Sequence, residues 1–293
     1  MHWQTSRHTI DLSRPKVMGI VNVTPDSFSD GGHFSTTRAA VAHCESMLLL
    51  GAHILDIGGE SSRPGIAPVP LEDELARVLP VLREAVTLGV PISVDTYKPE
   101  VMRAALDLGA DIINDIWGLR QPGAREAIAA HPRCGVCLMH MHGEPRTMQR
   151  SPMEGDAVMQ VRSFLEEASA ALLAMGVDAA RIAWDPGIGF GKTVAHNLAL
   201  LAHLDQLVTL GRPVLVGTSR KGFLGQLVAR SDAGRGLGPA VATPGPDPIG
   251  AAPVEDRLEA SLATATWAMA QGARMVRVHD VLPTVQAAKV VAA

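Results

Sequence analysis

The sequence predicts an α/β fold, a single (β/α)8 TIM barrel over residues 1–293, and three observations carry that expectation. Short β-rich apolar runs, each followed by a polar turn and a helical pattern, recur along almost the whole chain, as repeated βα units would. Eight such runs can be counted with no signal for an antiparallel hairpin, and eight parallel strands close a barrel. The composition is 47% hydrophobic but only 3% aromatic, so the core must be built from Val, Ile, Leu and Ala, which suit layers in parallel strands. An open doubly wound sheet is the alternative architecture for such a pattern.

The expected strands are residues 17–22, 54–58, 91–95, 112–115, 135–140, 182–185, 214–217 and 275–278. Between them, Leu71, Leu75, Val78, Leu79, Leu82 and Val86 fall three or four apart, on one face of a helix. Comparable stripes occupy 39–50, 99–108, 158–175, 198–207 and 258–269. Pro99 suits a first helical turn, where its missing N–H has no partner to lose. Gly51, Gly89, Gly109, Gly176, Gly211 and Gly272 stand where a left-handed residue would end a helix. Residues 231–255, rich in Gly, Pro and Ala, break the period and read as a flexible surface insertion within the one domain.

A net charge of −4, a single Tyr and no basic run leave neither an electrostatic footprint for nucleic acid nor stacking platforms for bases. The longest stretch without Asp, Glu, Lys or Arg, residues 260–273, is too short to span a bilayer, and residues 1–16 lack the apolar core of a signal peptide. A cytoplasmic protein without a membrane partner is expected. The odd number of cysteines, three, argues against a disulfide framework. Cys134 and Cys137 form a Cys-x-x-Cys, but along a strand rising ~3.3 Å per residue their Cα atoms would stand about 10 Å apart on opposite faces, so they read as packing residues.

In a barrel the functional face lies at the C-terminal ends of the strands, and here polar residues crowd those ends. Asp95, Asn114 and Asp185 offer acceptors from the third, fourth and sixth strands. Arg63, Lys221, Arg277 and His279 offer donors and positive charge from the second, seventh and eighth. Buried carboxylates are costly unless paired or hydrogen-bonded. Either these groups neutralise one another, or they bind a ligand that carries N–H donors at one end and an anion at the other. Two tempting motifs fail: Gly191-Lys-Thr193 ends like a P-loop, but Pro186 stands where its first Gly is needed. Gly217-x-Ser219 begins like a nucleophile elbow, but Lys221 replaces its second Gly.

At Asn22-Val-Thr-Pro-Asp-Ser-Phe-Ser-Asp-Gly-Gly32 and Gly59-Glu-Ser-Ser-Arg-Pro-Gly65 the sequence resembles the dihydropteroate synthase family, in its two signature loops. The likeness continues at Val94-Asp-Thr96, Asn114-Asp115, Asp185-Pro-Gly-Ile-Gly-Phe-Gly-Lys192, Ser219-Arg-Lys221 and Arg277-Val-His279, and so covers nearly the whole chain. The resemblance implies an enzyme of folate biosynthesis that condenses 6-hydroxymethyl-7,8-dihydropterin diphosphate with p-aminobenzoate, through a pterin cation. It implies that Asp95, Asn114, Met139, Asp185, Gly217, Lys221 and Arg277 hold the pterin, and that Asn22, Ser62, Arg63, Arg277 and His279 hold the diphosphate. Phe28, Pro64, Phe190, Ser219 and Lys221 would line the p-aminobenzoate site.

Asn22, Asp95, Lys221, Arg277 and His279 would act in the reaction, Mg2+ would be the cofactor with Asn22 as its ligand, and a homodimer would be the assembly. Ser62 stands where many members have Thr, a change that keeps the hydroxyl. Residues 231–255 are longer than the family leads one to expect, near the side used for dimerisation. A pterin-dependent methyltransferase would share the barrel and the acids without needing Asn22, Arg63 and His279 around a diphosphate. A Schiff-base aldolase would use Lys221, and a non-catalytic pterin-binding protein is the reading outside enzymes.

Overall fold

The computed structural model describes residues 1–24, 32–61, 65–144, 147–234 and 251–293. Phe28, Ser62, Arg63 and Pro64 lie outside those residues, as do residues 235–250 of the insertion. Eight strands form one parallel sheet: β3 (Lys16–Asn22), β4 (Ile54–Gly58), β5 (Ile92–Asp95), β6 (Ile112–Asp115), β7 (Gly135–Met139), β8 (Ile182–Asp185), β9 (Leu215–Val216) and β10 (Met275–Val278). The spatial order is β8-β7-β6-β5-β4-β3-β10-β9, and a bridge between Trp184 and Val214 brings the two ends together, with the Trp184 N–H donating to Pro213 O at 2.9 Å. The fold is therefore the expected (β/α)8 barrel, its last seam short because β9 spans only two residues.

Alternation along the strands separates two cores. Val17, Val21, Leu55, Ile57, Val94 and Ile113 face outward and pack on the surrounding helices. Met18, Ile54, Ile112, Cys137, Ala183, Leu215 and Met275 point inward at the lower end of the barrel, as period-two residues should. Cys134 belongs to the outer cluster and Cys137 to the inner one, so the Cys-x-x-Cys is split between faces, and both thiols are buried and free, as is Cys44.

The surrounding helices are α1 (Gly32–Leu49), α2 (Leu71–Ala85), α3 (Pro99–Asp107), α4 (Ala124–Ala130), α5 (Ala157–Ala174), α6 (Val194–Ala202), α7 (Asp205–Val208), α8 (Gly222–Gly234), α9 (Leu258–Ala270) and α10 (Val281–Val291). The six glycines assigned as helix stops all have positive φ, from 76° at Gly89 to 99° at Gly109 and Gly272.

Three expectations need correction. An antiparallel hairpin does exist: β1 (His2–Gln4) pairs with β2 (Thr9–Asp11). Its strands are only three residues long and carry no Asn-Gly turn, which is why no signal marks it; Trp3 and Leu12 drive it by plugging the lower end of the barrel. The stripe over 198–207 is two helices, broken at His203 and Leu204 between α6 and α7. The insertion begins later than composition suggests, because Ser231–Gly234 continue α8, and its far end, Val254–Arg257, is a 3-10 turn.

Candidate active site

The strand register sets the upper layer. Asn22 lies beside Gly58, Gly58 beside Asp95, and Asp95 beside Asn114; across the barrel, Met139 lies beside Asp185. Asp95, Asn114 and Asp185 are buried at their strand ends, while Asn22 is half-buried at the end of β3. Arg277, on β10, reaches across this layer. Its Nε donates to Asp56 Oδ2 at 2.6 Å and its Nη2 to Asp95 Oδ2 at 2.7 Å, and Asn114 Nδ2 donates to the same Asp56 oxygen at 3.1 Å. On this side the acids and the base do neutralise one another.

One guanidinium shared by two carboxylates leaves each incompletely balanced. Burial pushes the Asp95 carboxyl up to about 7; Arg277 opposes the shift, and Asp56, Glu74 and Asp115 add to it. Burial weighs against the charge on Arg277, yet Asp56, Asp95 and Asp185 hold it protonated above its ordinary range.

The opposite side is arranged differently. Lys221 lies 4.5 Å over the Phe190 ring and donates to the carbonyl of Ile188, not to a carboxylate. Burial lowers its ammonium to about 8, against the pull of Asp185. Burial likewise raises Asp185, with Lys221 opposing, and its Oδ1 accepts the Gly187 N–H at 2.7 Å. Gly187 must be glycine: φ is 67°, and a Cβ there would meet the His140 carbonyl oxygen at 1.8 Å. Lys192 is buried beneath this loop. Its Nζ donates to Gly187 O at 2.9 Å and Phe190 O at 3.1 Å and contacts His140 Nδ1 at 2.9 Å, so it fixes the loop that carries Phe190.

Between β9 and β10, Ser219 Oγ pairs with His279 Nδ1 at 2.9 Å and accepts the His279 backbone N–H at 3.1 Å. Arg220, left-handed at φ 59°, pairs with Asp280 at 2.7 Å and ties the same two loops together. Gly217 leaves room beside Arg277 and Lys221, since a Cβ there would stand 3.8 Å from Arg277 Cβ and 3.9 Å from Lys221 Nζ. Met139 and Phe190 join Tyr97, Ile116, Met141 and Met148 in an apolar wall, against which Trp117 packs.

The structure thus gathers Asp95, Asn114, Asp185, Lys221, Arg277, Ser219 and His279 at one end of the barrel, with Met139, Gly217 and Phe190 beside them. Sequence reasoning missed Asp56. It sits inside the apolar run Ile54-Leu-Asp-Ile-Gly58, fully buried, two residues before the strand end. A lone carboxylate in such a strand was the available signal, because burying it requires a partner.

Residues 18–279 match the family described as "Pterin binding enzyme", and the chain belongs to that family of pterin-binding barrels. Among its relatives, the chain is 46% identical over 291 residues to the Dihydropteroate synthase of Neisseria meningitidis serogroup C, covering 98% of this chain and 95% of that one. It is also 46% identical to that of Escherichia coli K12 over 286 residues, 97% of this chain and 93% of that one. Of solved structures, the Yersinia pestis Dihydropteroate Synthase with a sulfonamide drug complex superposes with a TM-score of 0.86 at 43% identity, over 99% and 98% of the two chains. The Burkholderia cenocepacia enzyme complexed with 7,8-dihydropteroate gives 0.83 at 46% identity, over 99% and 94%.

Proposed function

We infer that this chain catalyses the dihydropteroate synthase reaction, joining 6-hydroxymethyl-7,8-dihydropterin diphosphate to p-aminobenzoate with release of pyrophosphate. The observation that carries the reading is the layer itself: acceptors on β5, β6 and β8 face cations on β10 and after β9 in one mouth. A pterin offers ring and amino N–H groups to Asp95, Asn114 and Asp185, and its carbonyl to Lys221. Arg277 has two nitrogens committed to carboxylates, which fixes its plane for stacking on the ring and leaves Nη1 for the anion.

In the reaction the bond between the pterin methylene carbon and the diphosphate oxygen breaks, and the electron pair leaves with pyrophosphate. The p-aminobenzoate nitrogen, neutral at pH 7, bonds to that carbon and loses a proton. We place C–O cleavage first, through a cation delocalised into the pterin. Charge then separates, and fixed donors on the leaving group stabilise the separation in a mouth of low dielectric. Asn22, His279 and Arg277 serve the diphosphate, with Ser62 and Arg63; Phe190, Ser219 and Lys221 serve p-aminobenzoate, with Phe28 and Pro64.

Asn22 offers one hard oxygen at a strand end, which suits Mg2+, an ion commonly held by one or two protein oxygens while phosphate oxygens and water complete its shell. When bound, it would neutralise charge developing on the pyrophosphate. A homodimer is supported by Leu198, Leu258, Trp267 and Leu282, large apolar residues exposed on α6, α9 and α10, which pack side by side. Free buried cysteines suit a reducing compartment, and we place the protein in the cytoplasm as a sulfonamide target. Among the described residues no helix is long and apolar enough to cross a membrane. Pyrophosphate release that requires both the pterin diphosphate and p-aminobenzoate tests the activity; release from the pterin diphosphate alone, or none, would overturn it.

A further inference from the structure

Asp56 has an unusual position. It is fully buried halfway along β4, below the layer of strand-end residues, and one of its oxygens takes donors from two residues assigned to the pterin. Its Oδ2 accepts Arg277 Nε and Asn114 Nδ2 together. Its other oxygen, Oδ1, and the hydroxyl of Ser93, its partner in register on β5, are buried without hydrogen bonds to the protein. A carboxylate in that state costs stability, and replacing a buried ionic group by apolar packing is often neutral or favourable. Apolar residues fill the layer below it, so the barrel alone does not require a charge at this depth.

The geometry points to Asp56 as the positioning residue of the pterin pocket, acting through Arg277 and Asn114; this rests on the pterin reading above. Two consequences follow from which atoms it holds. By accepting from Asn114 Nδ2, Asp56 settles the orientation of that amide, so the Asn114 carbonyl oxygen turns to the pocket as an acceptor for a ring N–H. By accepting from Nε, and leaving Nη2 to Asp95, it fixes the guanidinium in one plane through two charge-assisted bonds. Without Asp56, the Asn114 amide loses its reason to point one way, and Arg277 swings about a single remaining carboxylate. Among the described residues, Phe190 and Ser219 of the p-aminobenzoate site contact Lys221 and His279, whereas Asp56 bonds Asn114 and Arg277, so the effect should be confined to one substrate.

The test is Asp56→Asn in the full chain, with 6-hydroxymethylpterin as the calorimetric probe and steady-state kinetics on both substrates. We expect the variant to fold, the pterin affinity to fall about 30-fold or more, as for the loss of a hydrogen bond to a charged group, and KM for p-aminobenzoate to change less than about twofold. A double-mutant cycle with Arg277→Lys should be strongly non-additive, because the lysine has already lost the fork that Asp56 orients. Asp56→Ser replaces the first variant should that one fail to fold. Unchanged pterin affinity in a folded variant, equal losses for both substrates, or additive losses in the cycle would each overturn the assignment. Because the calorimetry needs no turnover, its outcome is separate from that of the pyrophosphate assay.

Discussion

The lower and upper ends of the barrel are built by the same inward-facing positions of the same strands, yet they have opposite chemistry. At the lower end Met18, Ile54, Ile112, Leu215 and Met275 meet Trp3 and Leu12 of the hairpin in one apolar cluster. Two residues further along, the same faces carry Asp56, Asn114 and Arg277, with Asp95 in register beside Asn114 and Asn22 at the end of β3. Position along a strand therefore divides stability from function: a residue's height in the barrel says more about its role than its type or its burial. Asp95 and Ile112 are both buried, but only one of them lowers the free energy of the empty fold.

The largest effect expected from this division is at the mouth. Asp185→Ala should weaken binding of 6-hydroxymethylpterin about 1000-fold, the loss of two charge-assisted bonds at ~1.5–3 kcal/mol each, while the melting temperature stays equal or rises. Calorimetry and thermal unfolding on one preparation check both halves; a variant that binds normally, or one that fails to fold, would break the comparison. The mirror experiment is Trp3→Ala. Trp3 is fully buried with its indole N–H on Arg181 O at 2.8 Å, so its loss should cost about 3–5 kcal/mol in denaturant unfolding and leave KM for both substrates unchanged. A changed KM would show that the plug shapes the mouth as well.

His279→Ala should have a smaller effect of another kind. It removes a donor assigned to the anion and the partner of Ser219 Oγ, so binding of the pterin diphosphate should fall about 10- to 100-fold while binding of the pterin alcohol barely changes. Equal losses for both ligands would place His279 at the ring instead.

Much of this arrangement was legible in the sequence because strand ends are marked by a change from apolar to polar residues, and a barrel places every such end on one face. Asp95 and Asp185 end their strands, Asn114 and Arg277 stand one residue before the end, and His279 stands just beyond it. Asp56 was not legible in that way, since it interrupts a strand instead of ending it, and its partner Arg277 is 221 residues away along the chain. The hairpin was missed because three-residue strands have no period to read, and its stability comes from Trp3 and Leu12 packing on residues distant in sequence. The division of α6 from α7 was hidden because apolar spacing continues across His203 and Leu204, where the backbone turns.

The smallest effects concern pH: at the mouth, binding and stability should respond in opposite directions, whereas the floor should not respond. Pterin binding as proposed needs Asp95 ionised and Lys221 charged. Burial raises the first to about 7 and lowers the second to about 8, so affinity for the pterin should peak between them and fall several-fold by pH 6 and by pH 9. Stability runs the other way. A carboxyl whose folded value is raised stabilises the fold fully below its ordinary 3.8, and that contribution is lost as pH rises through about 7. An ammonium whose folded value is lowered carries a penalty below about 8 that is relieved as pH rises towards its ordinary 10.5. The share of stability owed to these two groups is therefore least where binding is best, which is what a site held charged for a ligand requires. Lys221→Met should raise the melting temperature of the empty protein below pH 8 and abolish the alkaline limb of pterin binding, with the gain in stability fading towards pH 10.5. The cluster around Trp3 is apolar apart from the Cys137 thiol, which burial holds protonated well above its ordinary range, so the cost of Trp3→Ala should be the same at pH 6, 7.5 and 9. If Lys221→Met instead lowers stability at neutral pH, the ammonium contributes more through its bond to Ile188 O and its contact with Phe190 than its burial costs, and the mouth, like the floor, is built for stability at that residue.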